Sequence, residues 1–212
     1  MLIPLSNIYQ FIVLTCRRCN IDETHGIRHA MDVFNYSEKL FKSEVKNTPN
    51  IISDERIIYT SALLHDMCDK KYMREMEGVE KIDFFLKQNA YIEEERSIIK
   101  DIITHMSYST IKKYGVPDMG TKQLAFQIVR ESDLLSAYDF DRCVLYDMLV
   151  NDRRYELSVE SAKELFDNRV FKHIEDGLFK TPKGLELAHE LHIKSKSTID
   201  ERDRTIKNLK IK

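Results

Sequence analysis

Ala62-Leu63-Leu64-His65-Asp66 closes an apolar run with two ionisable side chains in adjacent positions. Burying an imidazole or a carboxylate costs several kcal/mol unless it finds partners, so the pentapeptide raises the question of what His65 and Asp66 bind. The stretch reads as helix, in which neighbouring residues diverge by about 100° around the axis. Both can therefore reach one ion only near the helix end, and further ligands must come from other helices. His29 and Asp133 lie in two such stretches. Ligands converging from several antiparallel helices into an interior pocket are a known construction of helical bundles. The expected fold is an all-α, single-domain helical bundle with a central cleft. For the dipeptide taken alone, the competing explanation is a His-Asp pair hydrogen-bonded to itself at a helix end.

Working outward, apolar residues recur at helical spacing: Ile27, Met31, Phe34, Phe41 and Val45 in one segment, then Ile98, Ile99, Ile102, Ile103 and Met106 in another. Strand alternation is hard to find. The pattern predicts helices near 5–18, 25–46, 54–67, 77–89, 92–107, 121–138, 140–151, 158–176 and 183–208. Asn47-Thr48-Pro49-Asn50 and Lys113-Tyr114-Gly115-Val116-Pro117 are the clearest breaks. No repeat or low-complexity linker divides the chain. The expected organisation is a helical core over 1–182 with a C-terminal helix over 183–212 packed on it. The end of that helix, from Asp200 to Lys212, is almost entirely charged around Ile206, Leu209 and Ile211, a composition that suits a solvated or frayed end.

Composition agrees with a helix-rich chain: 212 residues, 42% hydrophobic and 32% charged, with six Gly, four Pro and no Trp. A formal net charge of -2 argues against a sequence-independent nucleic-acid clamp, and no stable nucleic-acid complex is expected. Small anionic ligands fit better, with Lys70-Lys71 available to receive phosphate. No apolar stretch is long enough to span a bilayer, since Phe11-Ile12-Val13-Leu14 soon meets Arg17 and Arg18. Cys16, Cys19, Cys68 and Cys143 follow no disulfide framework, and no signal-peptide pattern opens the chain. A cytoplasmic protein with free thiols is expected. Cys16-Arg17-Arg18-Cys19 lacks the second pair that zinc needs and the βαβ context of a redox motif.

His29, His65, Asp66 and Asp133 are imidazole and carboxylate groups, which bind first-row divalent cations and leave sites open for water and substrate. A metallohydrolase is the chemistry they suit. Only His105 lies between the His-Asp pair and Asp133, which is thin support for a second metal, and Asp101 stands one turn earlier to pair with it. His173, His189 and His192 fall at spacings that suggest surface helix faces.

The order His29, then Ala62-Leu63-Leu64-His65-Asp66, then Asp133 resembles the H…HD…D signature of the HD-domain phosphohydrolase superfamily. His25-Gly26-Ile27-Arg28-His29 and His65-Asp66-Met67-Cys68-Asp69-Lys70-Lys71-Tyr72 resemble its small stand-alone hydrolases that carry an HDxxDxK segment. Ile102 to Ser109 matches that subgroup's ISFS-like stretch, and Glu131-Ser132-Asp133-Leu134-Leu135-Ser136-Ala137 stands where it usually reads DADxLDA. Two departures matter: Glu131 replaces an Asp, and Leu134 stands where Arg is frequent.

The resemblance implies one divalent ion, Mn²⁺, Mg²⁺, Fe²⁺, Co²⁺ or Ni²⁺, held by His29, His65, Asp66 and Asp133. It implies water attack on a small phosphorylated metabolite, most naturally a nucleotide, by phosphatase or nucleoside triphosphate pyrophosphohydrolase chemistry. Pyrophosphate release is preferred, because His25, Lys70 and Lys71 offer more donors than one phosphate needs. In that scheme Asp66 is both ligand and catalytic carboxylate. Asp69, three residues on, would position water if the helix persists. Lys71 and Lys70 would neutralise phosphate charge. His25, four residues before His29, would lie on the same helical face and donate to phosphate or to a leaving group. Tyr72, Ser107 and Ser109 would line the pocket by analogy with the subgroup. The alternatives are a non-catalytic nucleotide- or metal-binding regulatory protein and a dinuclear iron oxygenase; a homodimer is compatible with each.

Overall fold

A computed structural model describes residues 3–210, with Leu209 and Lys210 described by backbone alone. The described chain is all-α, without a strand. It divides into two compact units, Met1–Asp133 and Leu134–Lys212. No described helix is long and apolar enough to cross a membrane.

The first unit is built around its shortest early helix. α1 (Leu5–Cys19), α2 (Ile27–Asn47) and α3 (Glu55–Leu64) are followed by α4 (Glu75–Gln88), α5 (Glu93–His105) and α6 (Tyr108–Tyr114), and α7 (Gln123–Ser136) carries the boundary between the units. In α3 every residue after Glu55 is buried, and the helix packs against α1, α2 and α5. A helix apolar on all sides belongs in a core.

Two of its polar members, Arg56 and Thr60, find partners across the core. The Arg56 guanidinium donates to Glu95 Oε2 at 2.9 Å and to the carbonyls of Asn89 and Ala90 at 3.1 and 3.3 Å. It also lies 3.5 Å from the centre of the Tyr91 ring, whose hydroxyl meets Thr60 Oγ1 at 2.7 Å.

α2 buries His29, Ala30, Val33, Ser37, Leu40, Phe41 and Glu44, a stripe of 3.6-residue period. That stripe is rotated from the one the apolar letters suggest. Met31 is 45% exposed, whereas Ala30 and Val33 are buried. Phe34 and Phe41 flank Tyr59 with ring centres 5.2 and 5.3 Å away. Ile99, Ile102, Ile103 and Met106 are buried as their spacing predicts.

In the second unit, α8 (Phe140–Val150) and α9 (Tyr155–Leu165) pair, followed by α10 (Lys172–Glu175) and α11 (Pro182–Lys210), which packs on all three. The single helix expected over 158–176 is interrupted. A π-helical turn at Phe166–Val170 joins Phe171 N–H to the Phe166 carbonyl at 2.9 Å. Phe166, Val170 and His173 are all buried. His173 is therefore interior, its ring 6.2 Å from that of Tyr138, and not on the surface face its spacing suggested.

Charge pins α11: Arg202 forks onto Asp141 at 2.6 and 2.9 Å, and Lys163 meets Asp203 at 2.5 Å. Beyond Ile206, the apolar tail position Ile211 lies outside the described residues, as does the side chain of Leu209. α6 has no buried residue, and hence no periodicity by which the sequence could announce it.

Candidate metal centre

His65 is the residue at which α3 stops. Beyond Leu64 the chain tightens into three-residue turns, with Met67 N–H on the Leu64 carbonyl at 2.9 Å and Asp69 N–H on the Asp66 carbonyl at 3.2 Å. The helix expected through residue 67 thus ends at Leu64. Leaving helical geometry lets two consecutive side chains reach one point.

At that point His29 from the first turn of α2 meets His65, Nε2 to Nε2, at 3.0 Å. Asp66 Oδ2 lies 3.2 Å from His29 Nε2 and 3.4 Å from His65 Nε2. Asp133 Oδ1, from α7, lies 3.5 and 3.7 Å from the same two nitrogens. Donor atoms bound cis to one ion at about 2.1 Å stand about 3.0 Å apart, so this spacing suits ligands of one divalent cation. Among the described residues, His29, His65 and Asp133 form a group whose ligand atoms all lie within 4.8 Å of one another.

The hydrogen bonds fit a metal too. The far nitrogen of His65, Nδ1, lies 2.8 Å from the Ala62 carbonyl. A carbonyl only accepts, so Nδ1 carries a proton, and the ring once neutral presents its Nε2 lone pair to the cluster. Asp66 Oδ2 is buried and accepts no hydrogen bond of good geometry. A lone pair and an orphaned carboxylate oxygen facing one another are what a cation would satisfy.

Electrostatics reinforce the pairing. Burial pushes the His65 imidazole down, but Asp66 and Asp133 outweigh it and hold its pKa up at about 9. Burial would raise both carboxyls, yet the facing imidazoles keep Asp133 at about 2 and Asp66 well below the carboxylate range.

Around this cluster the other candidate residues take varied places. His25 precedes α2, which starts at Ile27 after Gly26. It is held by a turn, its N–H on the Asp22 carbonyl at 3.1 Å, and is not on the helical face expected. Its ring centre still lies 6.1 Å from that of His29. Lys71 Nζ meets His25 Nε2 at 3.3 Å, and Tyr72 Oη meets His25 Nδ1 at 3.1 Å.

Asp69 stands in a turn, not on a helical face shared with Asp66. Its Oδ1 accepts the Lys71 N–H at 2.9 Å, so its visible task is to aim Lys71. Lys70 points to solvent and pairs with Glu75 at 3.0 Å. Ser107 caps α6, accepting the Thr110 N–H at 3.2 Å, with Ser109 Oγ 3.2 Å away. His105 is exposed and its Nδ1 donates to the Asp101 carbonyl at 2.8 Å. Glu131 is buried and accepts from Gln127 Nε2 at 2.7 Å. Burial raises the Cys16 thiol to about 11 and the Cys68 thiol to about 12, with acidic neighbours adding to both. Neither is therefore a reactive thiolate.

Sequence reasoning missed Asp22 and Thr24. Asp22 takes the Thr24 N–H at 2.8 Å, the Thr24 hydroxyl, and the Tyr72 hydroxyl at 2.5 Å. Asp-x-Thr ahead of a helix is an Asx-turn signature that would have found the first of these. Gly78 was missed as well: a Cβ there would stand 2.7 Å from Cα and Cβ of Cys68, so only glycine lets α4 lie against the turn that carries His65 and Asp66.

Among solved structures the chain is similar to the crystal structure of a Lactobacillus plantarum protein that was a Northeast Structural Genomics target. The TM-score is 0.71 at 18% identity, over 96% of this chain and 97% of that one. At that identity the likeness shows the fold alone. No family model and no curated protein matches the chain.

Proposed function

We propose that this chain is a divalent-metal-dependent phosphohydrolase of the HD-domain type, acting on a small phosphorylated metabolite of the nucleotide class. The observation that carries the reading is the convergence of His29, His65, Asp66 and Asp133 at 3.0–3.7 Å between imidazole nitrogens and their partners, beside an ammonium-imidazole pair. A divalent ion held by these four residues would polarise a phosphoryl oxygen and lower the pKa of a bound water.

The chain's own residues supply the rest. Lys71, fixed through its backbone by Asp69, carries an exposed ammonium suited to phosphate oxygens. His25 stands beside it, within one ring contact of His29. The buried side of the site, formed by α2 and α3, keeps water from screening these charges. The Lys71 ammonium beside the ligand set supports a phosphorylated substrate, and pyrophosphate release from a nucleoside triphosphate is the preferred bond cleavage.

The test is hydrolysis of a panel of nucleoside mono-, di- and triphosphates, deoxy forms included, with added Mn²⁺ or another divalent ion and with orthophosphate and pyrophosphate measured separately. Metal-dependent turnover that vanishes in Asp66→Ala is expected. Orthophosphate without pyrophosphate from triphosphates would overturn the preferred bond. No turnover with one metal bound per chain would move the reading to a ligand sensor.

A further inference from the structure

We propose that Asp22 is a positioning residue that locks His25 in the Nδ1–H tautomer, so that His25 offers an unprotonated Nε2 and accepts a proton from the attacking water. The proton transfer rests on the phosphohydrolase reading above; the tautomer does not.

Two hydroxyl protons decide the tautomer. Tyr72 and Thr24 each carry one hydroxyl proton, and both are directed at the Asp22 carboxylate. Thr24 Oγ1 also lies 2.9 Å and Tyr72 Oη 3.1 Å from His25 Nδ1. With their protons committed to Asp22, both oxygens face the ring as acceptors, and Nδ1 must be the donor.

The other end of the ring gives the same answer independently. Lys71 Nζ, an ammonium that only donates, is 3.3 Å from Nε2, and an Nε2–H there would oppose it. Asp22 is suited to its part. Burial pushes its carboxyl up, but hydrogen bonds from Thr24 and Tyr72 outweigh this and keep it below the usual range, so it is acceptor-only at neutral pH. The loop is tied at both ends: Asn20 ends α1 with φ 51°, and the Asp22 carbonyl holds the His25 N–H.

The step balances as follows. Lys71 turns from Nε2 to a phosphate oxygen when substrate arrives. One O–H bond of the water breaks as its oxygen bonds to phosphorus. The P–O bond to the leaving group breaks with its electron pair on the departing oxygen, and the proton rests on His25 Nε2.

The test uses the full chain labelled with ¹⁵N-histidine, at a pH where imidazole is neutral and without substrate, with His25→Gln to assign the signals. A protonated, pyrrole-type Nδ1 and a pyridine-type Nε2 are expected for His25, shifting toward Nε2–H in Asp22→Asn. Tyr72→Phe combined with Thr24→Val should shift it likewise, which covers a failure of Asp22→Asn to fold. In turnover, Asp22→Asn should lower kcat about tenfold with KM little changed, as loss of an oriented proton acceptor does. His25→Gln with Asp22→Asn should fall no further than His25→Gln alone. Mn²⁺ affinity should not move, because Asp22 touches none of the four ligands. A wild-type His25 protonated at Nε2, or a tautomer indifferent to Asp22, would overturn the proposal even in an active enzyme. A correct tautomer in a chain inactive on every phosphate would instead overturn the function and the proton transfer, and leave the positioning role standing.

Discussion

His29 and His65 face each other nitrogen to nitrogen at 3.0 Å, from the start of α2 and the end of α3. Because His65 directs an Nδ1 proton to the Ala62 carbonyl, Nε2 is the nitrogen left to take a metal once the ring is neutral. Replacing His65 or Asp133 with Ala should weaken Mn²⁺ binding by more than about 100-fold, beyond what loss of an outer partner costs. Calorimetric titration of the purified chain after chelation checks this; an unchanged Mn²⁺ affinity in a variant would remove the replaced residue from the ligand set.

The same cluster sets opposite pH trends with and without metal. For His65 the folded pKa, about 9, is raised above the unfolded value of about 6.5. Its stabilisation is therefore full below about pH 6.5 and disappears as pH rises through about 9. Asp133, depressed to about 2, stabilises above about pH 4 and loses that contribution as pH falls toward 2. The metal-free protein should thus lose thermal stability between pH 6.5 and 9. Bound metal requires neutral imidazole, so the gain in Tm from Mn²⁺ should increase over that interval. Scanning calorimetry in chelator and in excess Mn²⁺ would expose parallel curves if the cluster were not a metal site.

Gly78 lies where α4 crosses the turn after His65. A methyl group 2.7 Å from backbone and Cβ of Cys68 cannot be absorbed by a flexible side chain. Gly78→Ala should cost about 2 kcal/mol of overpacking and weaken metal binding by displacing the turn. Urea unfolding measures the first effect, Mn²⁺ titration the second. Stabilisation by the alanine would show that α4 moves freely.

Arg56 holds the α4–α5 connection and Glu95 onto the core helix. Arg56→Ala leaves a part-buried carboxylate and two carbonyls without their donor, at a cost of about 3 kcal/mol. Arg56→Met with Glu95→Gln should cost less, since it removes the stranded charge and keeps volume. Denaturant midpoints of the two variants decide it.

What the sequence determined by itself follows from local rules. Helical spacing and the scarcity of Gly, Pro and β-alternation were enough for an all-α fold, and for the burial of Ile99, Ile102, Ile103 and Met106. His65 and Asp66 stood out because few ligating side chains end an apolar run, and His29 and Asp133 were named with them through the resemblance of their order to the H…HD…D signature. Tertiary structure decided whatever depends on a neighbour far along the chain. Met31 faces out while Ala30 and Val33 are buried, a choice between two adjacent stripes that apolar letters alone do not make. Asp69 aims Lys71 through a backbone hydrogen bond because the helix stops at Leu64 and turns. His173 is interior, buried with Phe166 and Val170. The orientation of His25 depends on Tyr72, 47 residues away, meeting a carboxylate in its own loop. Such pairings are set by packing and by the direction of individual protons, and no periodicity in the chain records either.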